Sequence, residues 1–337
     1  MSIKLEKSSI DLIHKIIEKI LISKQITITT HLNPDGDAIG SSLALYLFIK
    51  SFVKKSKLIL QDEVPYNLKF LKYSEEIEKF DINQTQYIKE SDLIFIVDLN
   101  DVKRTNLMAE TLKQSHAYKI IIDHHIEPKE FADLYFVNPE ATSTGELIYY
   151  IIKTYNNEFF TKDIANALYT AIATDTGHFR FPRTDEITHN IISDLISKGA
   201  DPVYCYDQIY NNRPIRFLKL LGEAFCSIET YFDDTVCIMT LTEENYKKAG
   251  ANEMDVEDIV EHTMFIEKVK IGVLLSECNN ANEIRCSFRS KGDISVRDFA
   301  IKFNGGGHKN ASGARFKNKN INEVKQIIIN QLKEFLK

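Results

Sequence analysis

Four short, apolar, β-branched runs punctuate the first half of the chain: Gln25–Thr30, Lys57–Leu60, Leu93–Val97 and Lys119–Ile122. Uninterrupted runs of this length read as strands buried on both faces. Ala38–Val53 carries apolar residues at helical spacing, and Gly145–Tyr155, Lys162–Thr174 and Glu186–Lys198 repeat that period. Strands alternating with helices predict parallel β-α-β units, an α/β fold whose sheet is covered on both faces over residues 1–200. A Gly199-Ala200-Asp201-Pro202 break leads into Val203–Ile228, helical apart from Asn211-Asn212-Arg213-Pro214, and residues 201–228 are expected to connect two domains. Residues 229–337 are richer in strands, at Val236–Leu241, Val269–Ser276 and Ile284–Ser290, with helices at Val296–Phe303 and Ile321–Leu336. This predicts a smaller C-terminal α/β domain with a mixed sheet. At 337 residues and 44% hydrophobic content, the chain can fill two cores.

The acids sit where three of the predicted strands end. QITITT runs into His31-Leu32-Asn33-Pro34-Asp35-Gly36-Asp37, LIFIV runs into Asp98, and KIII runs into Asp123-His124-His125. In an open parallel sheet all carboxyl ends lie along one edge, where ligands bind. A fourth stretch, Thr174-Asp175-Thr176-Gly177, ends an apolar helix that could reach the same edge. One aspartate after a strand is commonly a turn former; three strand ends carrying acid or imidazole call for another reason. Like charges crowded into a low-dielectric crevice need compensation, and divalent cations supply it. Mixed carboxylate and imidazole donors suit manganese best, with magnesium, cobalt or iron as alternatives. Two such ions, roughly 3.5–4 Å apart, would bridge a nucleophilic hydroxide and clamp phosphate oxygens. Asp98, alone at its strand end, is the candidate bridging ligand.

Composition narrows the partners. The formal net charge of −6 gives no global field for a long nucleic acid, whose binding draws on many lysine and arginine contacts. A small anion held by a few placed cations is easier to reconcile. No segment reaches the roughly eighteen apolar residues of a membrane helix, and MSIKLEKSSIDLIHKIIEKI lacks the core and cleavage site of a signal peptide, so a cytoplasmic location is expected. The five cysteines contain no C-x-x-C pair and read as reduced thiols. His14, His116, His189 and His262 lack acidic company at metal-like spacing, and Ser143-Thr144 before a helical run reads as an N-cap.

These residues resemble the DHH phosphoesterase family, named for the triplet that stands here as Asp123-His124-His125. HLNPDGDAIGSS is similar to the family's first motif, Val97-Asp98 with Arg104 to the second, IIDHH to the third and ATDTGHFRF to the fourth. FRSKGDISV and NGGGHKNASG resemble the DHH-associated C-terminal domain, with Asn304 where the family often has a fourth glycine. The resemblance implies one metal held by His31, Asp35 and Asp98, and a second held by Asp37, Asp98, His124 and Asp175. It also implies that His125 faces the scissile phosphate, and Asp123 would orient the histidines.

In the C-terminal half, Gly305, Gly306 and Gly307 followed by His308 read as an anion cradle, because amides in a glycine loop approach phosphate closely. Arg289, with Ser290 and Lys291 beside it, adds a guanidinium fork for phosphate oxygens. One domain is expected to cut while the other holds the substrate's far end. The resemblance is closest to stand-alone nano-oligoribonucleases that also dephosphorylate 3′-phosphoadenosine 5′-phosphate (pAp). It implies a manganese-dependent hydrolase acting on short RNA oligonucleotides, pAp, or linear dinucleotides such as pApA from cyclic dinucleotide turnover. A RecJ-like exonuclease would be expected to carry an additional basic binding module. A non-catalytic nucleotide-binding protein would be expected to lack a ligand, and none is missing. Homodimerisation stays open.

Overall fold

The structure is a computed structural model that describes residues 7–256, 258–278 and 282–336. The chain divides between Asn212 and Arg213 into two compact units.

In the first unit the strands are β1 (Gln25–Thr29), β2 (Lys55–Leu60), β3 (Glu78–Lys79), β4 (Leu93–Val97), β5 (Tyr118–Asp123) and β6 (Leu134–Val137). Its helices are α1 (Lys7–Ile22), α2 (Gly36–Lys50), α3 (Ile82–Glu90), α4 (Met108–Gln114), α5 (Thr144–Tyr155), α6 (Lys162–Asp175), α7 (Glu186–Ser197) and α8 (Pro202–Tyr206). The sheet order is β3-β2-β1-β4-β5-β6, and every pairing is parallel. From β1 the chain moves outward to β3, then returns to lay β4 on the other side of β1. The strand order therefore reverses between β1 and β4, and such a switch point opens a crevice beyond the carboxyl ends.

Strand β4 shows why the apolar runs do not alternate. Leu93, Phe95 and Val97 pack into the core with residues of α2, α5 and α6, such as Leu43, Ile148 and Leu168. Ile94 and Ile96 pack on the opposite face with Ile88 of α3 and Met108 and Leu112 of α4. Both faces are dry, so both sets of side chains are apolar. Helix α2 is buried nearly all round, and it lies so close to α6 that a Cβ at Gly40 would stand 2.4 Å from the Ala167 carbonyl oxygen. That approach draws the first turn of α2 towards the last turn of α6.

The second unit contains α9 (Ile215–Cys226), β7 (Glu229–Tyr231), β8 (Val236–Leu241), α10 (Glu243–Ala249), β9 (Ile271–Cys278), β10 (Glu283–Ser290), α11 (Val296–Ile301), β11 (Gly306–His308), β12 (Ala311–Lys317) and α12 (Ile321–Phe335). Its order is β11-β12-β10-β9-β8-β7, antiparallel throughout except for β8 against β9. The sheet is mixed, as its sequence predicts. One face packs on Phe217 and Leu220 of α9 and on Ile259 and Val260 of a 3₁₀ stretch, Ile259–Phe265. The other packs on Val296 and Phe299 of α11 and Val324 and Ile328 of α12. The helical stretch after Asp201 is shared: α8 and a π-helical turn, Asp207–Asn211, close the first unit, and α9 opens the second.

Among the described residues no helix is long and apolar enough to cross a membrane. All five cysteines are free thiols, Cys226 exposed and the others buried.

Candidate metal centre and active site

The carboxyl edge of the parallel sheet gathers the acids and imidazoles from four separate stretches. Two residues after β1, His31 donates Nδ1–H to the Leu32 carbonyl oxygen at 2.8 Å, since a carbonyl can only accept. Its Nε2 then faces Asp98 Oδ2 at 3.5 Å. Asp35 is the N-cap of α2, accepting from the Ala38 amide at 3.0 Å. Two residues on, Asp37 is buried and takes two of the orphan amides at the start of α5, Thr144 N–H at 2.7 Å and Gly145 N–H at 2.9 Å. An anion at a helix N-terminus is favoured by those amides and by the helix dipole.

Asp98 follows β4 with φ +60°, a left-handed conformation that costs a residue with a Cβ about 1–3 kcal/mol. Its amide donates to the Ile122 carbonyl of β5 at 2.9 Å, and its carboxylate accepts from Thr144 Oγ1 at 3.0 Å. These contacts hold Asp98 between His31 on one side and the DHH triplet on the other. His124 donates Nδ1–H to the Ala141 carbonyl at 3.3 Å, turning Nε2 towards Asp175 at 3.3 Å, Asp98 at 3.7 Å and Asp37 at 3.8 Å. His125 bonds through Nδ1 to Asp123 Oδ1 at 2.7 Å, and the same oxygen accepts the His124 amide at 2.9 Å. Asp123 is fully buried and its Oδ2 has no hydrogen-bond partner.

Electrostatics follow from the crowding. Burial, then the charges of Asp98 and Asp175, push the Asp37 carboxyl well above the usual aspartate range. Burial, then Asp35 and Asp98, do the same to Asp175, against a downward pull from Arg183. Burial also opposes ionisation of Asp98, but the His31 hydrogen bond and the three surrounding imidazoles outweigh it and hold that carboxyl low. Burial lowers His124. For His31 and His125 the same burial is overcome, by Asp98 and Asp35 in one case and by Asp123 and Asp98 in the other, and both rise.

This donor set fits divalent cations. Three groups of ligand atoms each lie within 4.8 Å of one another: His31, Asp35 and Asp98; Asp37, His124 and Asp175; and Asp98, His124 and His125. The first matches one of the two ligand sets that the resemblance implies, and the second holds three of the four residues of the other, with the fourth, Asp98, 3.7 Å from His124 Nε2. Backbone carbonyls fix the Nδ1–H tautomer of His31 and His124, the arrangement by which ligating imidazoles are oriented. Burial and like charge both oppose ionisation of Asp37 and Asp175, and a divalent cation bound there would favour it.

Residues 25–172 match the model of the DHH family, N-terminal domain, and residues 233–336 match that of the DHHA1 domain. An exopolyphosphatase-related protein from Bacteroides fragilis superposes with a TM-score of 0.93 at 32% identity, covering 99% of this chain and 98% of that one. The chain belongs to the DHH family of phosphoesterases. Across 92% of its length it is 29% identical to the bifunctional oligoribonuclease and PAP phosphatase NrnA of Thermus thermophilus, spanning 90% of that protein. It is 27% identical to the Bacillus subtilis protein of the same name, over 89% of this chain and 92% of the relative.

The DHHA1 unit places the other predicted residues. Arg289, at the end of β10, pairs through Nε with Glu261 and donates Nη1–H to the Phe288 carbonyl at 3.0 Å. Ser290 Oγ donates to the Ile294 carbonyl at 2.6 Å, and Lys291 Nζ to the Ile266 carbonyl at 3.0 Å. The glycines expected as a loop form an edge strand instead: β11 pairs Gly306, Gly307 and His308 with Gly313, Ser312 and Ala311 of β12. Gly305 lies where a Cβ would stand 2.2 Å from the Gly313 carbonyl, and Gly307 has φ +137°, so hairpin packing alone accounts for both. Gly306 faces open space and His308 is exposed.

Thr144 and Arg183 are the site neighbours that sequence reasoning missed. Thr144 reads from the sequence as part of an N-cap region in preference to a substrate contact, a capping role Ser143 fills, and its bond to Asp98 spans 46 residues. Arg183 is exposed yet acts on Asp175; its place eight residues downstream of that acid was the available signal. Arg104, which the sequence did single out, lies close enough to lower both His31 and His125.

Proposed function

We propose that this chain is a manganese-dependent hydrolase that degrades short oligoribonucleotides to mononucleotides and removes the 3′-phosphate of pAp. The observation that carries the reading is the double ligand set built around Asp98 at the β1/β4 switch point. His31, Asp35 and Asp98 would hold one cation, and Asp37, Asp98, His124 and Asp175 a second, with magnesium or cobalt as alternatives to manganese. Bound there, the ions would supply an activated water and neutralise charge on the phosphate.

The chain's own residues do the rest. Asp123 holds His125 by its Nδ1–H, so Nε2 is the atom through which His125 would give a proton to a phosphate or leaving-group oxygen. Arg104 would add positive charge beside it. In the DHHA1 unit, Arg289, Ser290, Lys291, Gly305, Gly306, Gly307 and His308 would hold the part of the substrate that does not react. Binding energy from that remote part positions the scissile bond. The absence of a global positive field favours substrates of a few nucleotides over long strands.

The test incubates purified protein and manganese with pAp, pApA, 5′-phosphorylated RNA of two to several nucleotides and inorganic pyrophosphate. Release of mononucleotide from the shortest RNAs, and of phosphate from pAp, is the expected result. Turnover of pyrophosphate alone would overturn the reading.

A further inference from the structure

The 3₁₀ stretch Ile259–Phe265 crosses one face of the C-terminal sheet and leaves an aromatic shelf on its outer side. Phe265 is 72% exposed, an unusual position for a phenylalanine. Its ring lies nearly parallel to that of His262, with a 16° interplanar angle and centroids 5.2 Å apart. Phe225 of α9, itself 44% exposed, continues the shelf at 5.5 Å from His262. Burial lowers the His262 pKa against the pull of Glu261 and Asp258, which favours the uncharged ring.

Two cations contact the residues next to His262 and Phe265. Arg289 pairs with Glu261, the residue before His262, and Lys291 reaches the Ile266 carbonyl, the residue after Phe265. The arrangement is fixed from below: a Cβ at Gly272 of β9 would stand 1.7 Å from Thr263 Oγ1, so the stretch lies directly on the sheet beside β10. An exposed aromatic surface on a stretch contacted by an arginine and a lysine matches one kind of ligand, a planar base carrying a phosphate.

We propose that Phe265, supported by His262 and Phe225, is a stacking platform for a nucleobase whose phosphate is taken by Arg289 and Lys291. The inference rests on the proposed function and deepens it, because it names the feature that separates nucleotides from phosphate compounds without a base. Stacking tolerates every base, which suits degradation of RNA of any sequence. Glu261 occupies Arg289 Nε in this structure, so an incoming phosphate would exchange for that carboxylate.

The experiment uses the full chain with Phe265→Ala and Phe265→Trp variants, and measures binding of AMP and of ribose 5-phosphate by calorimetry. AMP affinity is expected to fall roughly five- to a hundredfold in Phe265→Ala, the range for loss of one stacked base. Phe265→Trp should retain it, and ribose 5-phosphate should bind all three proteins alike. Light scattering is run in parallel. Equal AMP affinity in wild type and Phe265→Ala, equal losses for both ligands, or a smaller assembly in Phe265→Ala would each overturn the platform, the last by making the patch an interface between copies. Steady-state turnover of a dinucleotide separates this from the broader reading. An unchanged KM in Phe265→Ala with normal wild-type turnover sinks the platform alone, whereas no nucleotide turnover by wild type sinks the proposed function.

Discussion

Replacing Asp175 by asparagine should stabilise the protein when metals are absent and reduce the stabilisation that metals add. Asp175 and Asp37 approach one another around His124, their ligand atoms within 4.8 Å. Two full charges at that separation repel by about 3.5 kcal/mol at an effective dielectric constant near 20. Partial protonation relieves part of this, since both carboxyls are raised by burial and by neighbouring acids. The loss of attraction to Arg183 is small because that side chain is exposed. A gain of about 1–3 kcal/mol is therefore expected for Asp175→Asn in chelator. The sign with pH follows. A carboxyl whose folded pKa lies above its unfolded value contributes stability below the unfolded value, and that contribution is lost as pH rises through the folded one. Wild-type stability in chelator should thus decline from acid towards neutral pH more steeply than the variant's. Manganese at a hundred times its dissociation constant adds about 2.7 kcal/mol to wild type, and a tenfold weaker site forfeits about 1.4 kcal/mol of that. Urea unfolding of both proteins, with chelator and across a manganese titration, reads all of this. A variant less stable than wild type in chelator, yet gaining equally from manganese, would refute the reasoning.

Asp123→Asn should lower kcat roughly ten- to a hundredfold while leaving bound manganese unchanged; because Asp123 raises His125 against its burial, the alkaline limb of kcat should also move to lower pH. A pH–rate profile that does not move would contradict that pairing. Arg289→Ala should weaken short-oligonucleotide binding by roughly ten- to a hundredfold, the worth of a charged hydrogen bond, with metal content intact by elemental analysis. Equal loss of manganese would end the division of labour between the units. Gly40→Ala should destabilise the first unit by about 1–3 kcal/mol through overpacking against Ala167, seen as a lower melting temperature.

Much of this was legible before any coordinates. Leu93–Val97 is a strand with the predicted ends because both faces are dry, and a continuous apolar run has no other simple explanation. The ligand candidates were legible for a related reason: acid or imidazole at three strand ends is more than turn formation alone calls for. What escaped was either short or distant. β3 and β6 are too brief to display a period. The capping of α5 by Asp37 joins residues 107 and 108 positions apart, and nothing local in DGD announces it. The glycine run before His308 read as a loop because its pairing with β12 depends on a strand whose own sequence, ASGARFK, is weakly apolar. His262 lacks acidic company at metal-like spacing and reads as structural or solvent-exposed; its stacking on Phe265 emerges only in the 3₁₀ geometry.

A crystal grown with manganese and measured at that metal's absorption edge tests the central claim directly. Two anomalous peaks per chain are expected, one contacted by His31, Asp35 and Asp98 and one by Asp37, Asp98, His124 and Asp175. Peaks elsewhere, or an empty crevice at saturating manganese, would contradict it.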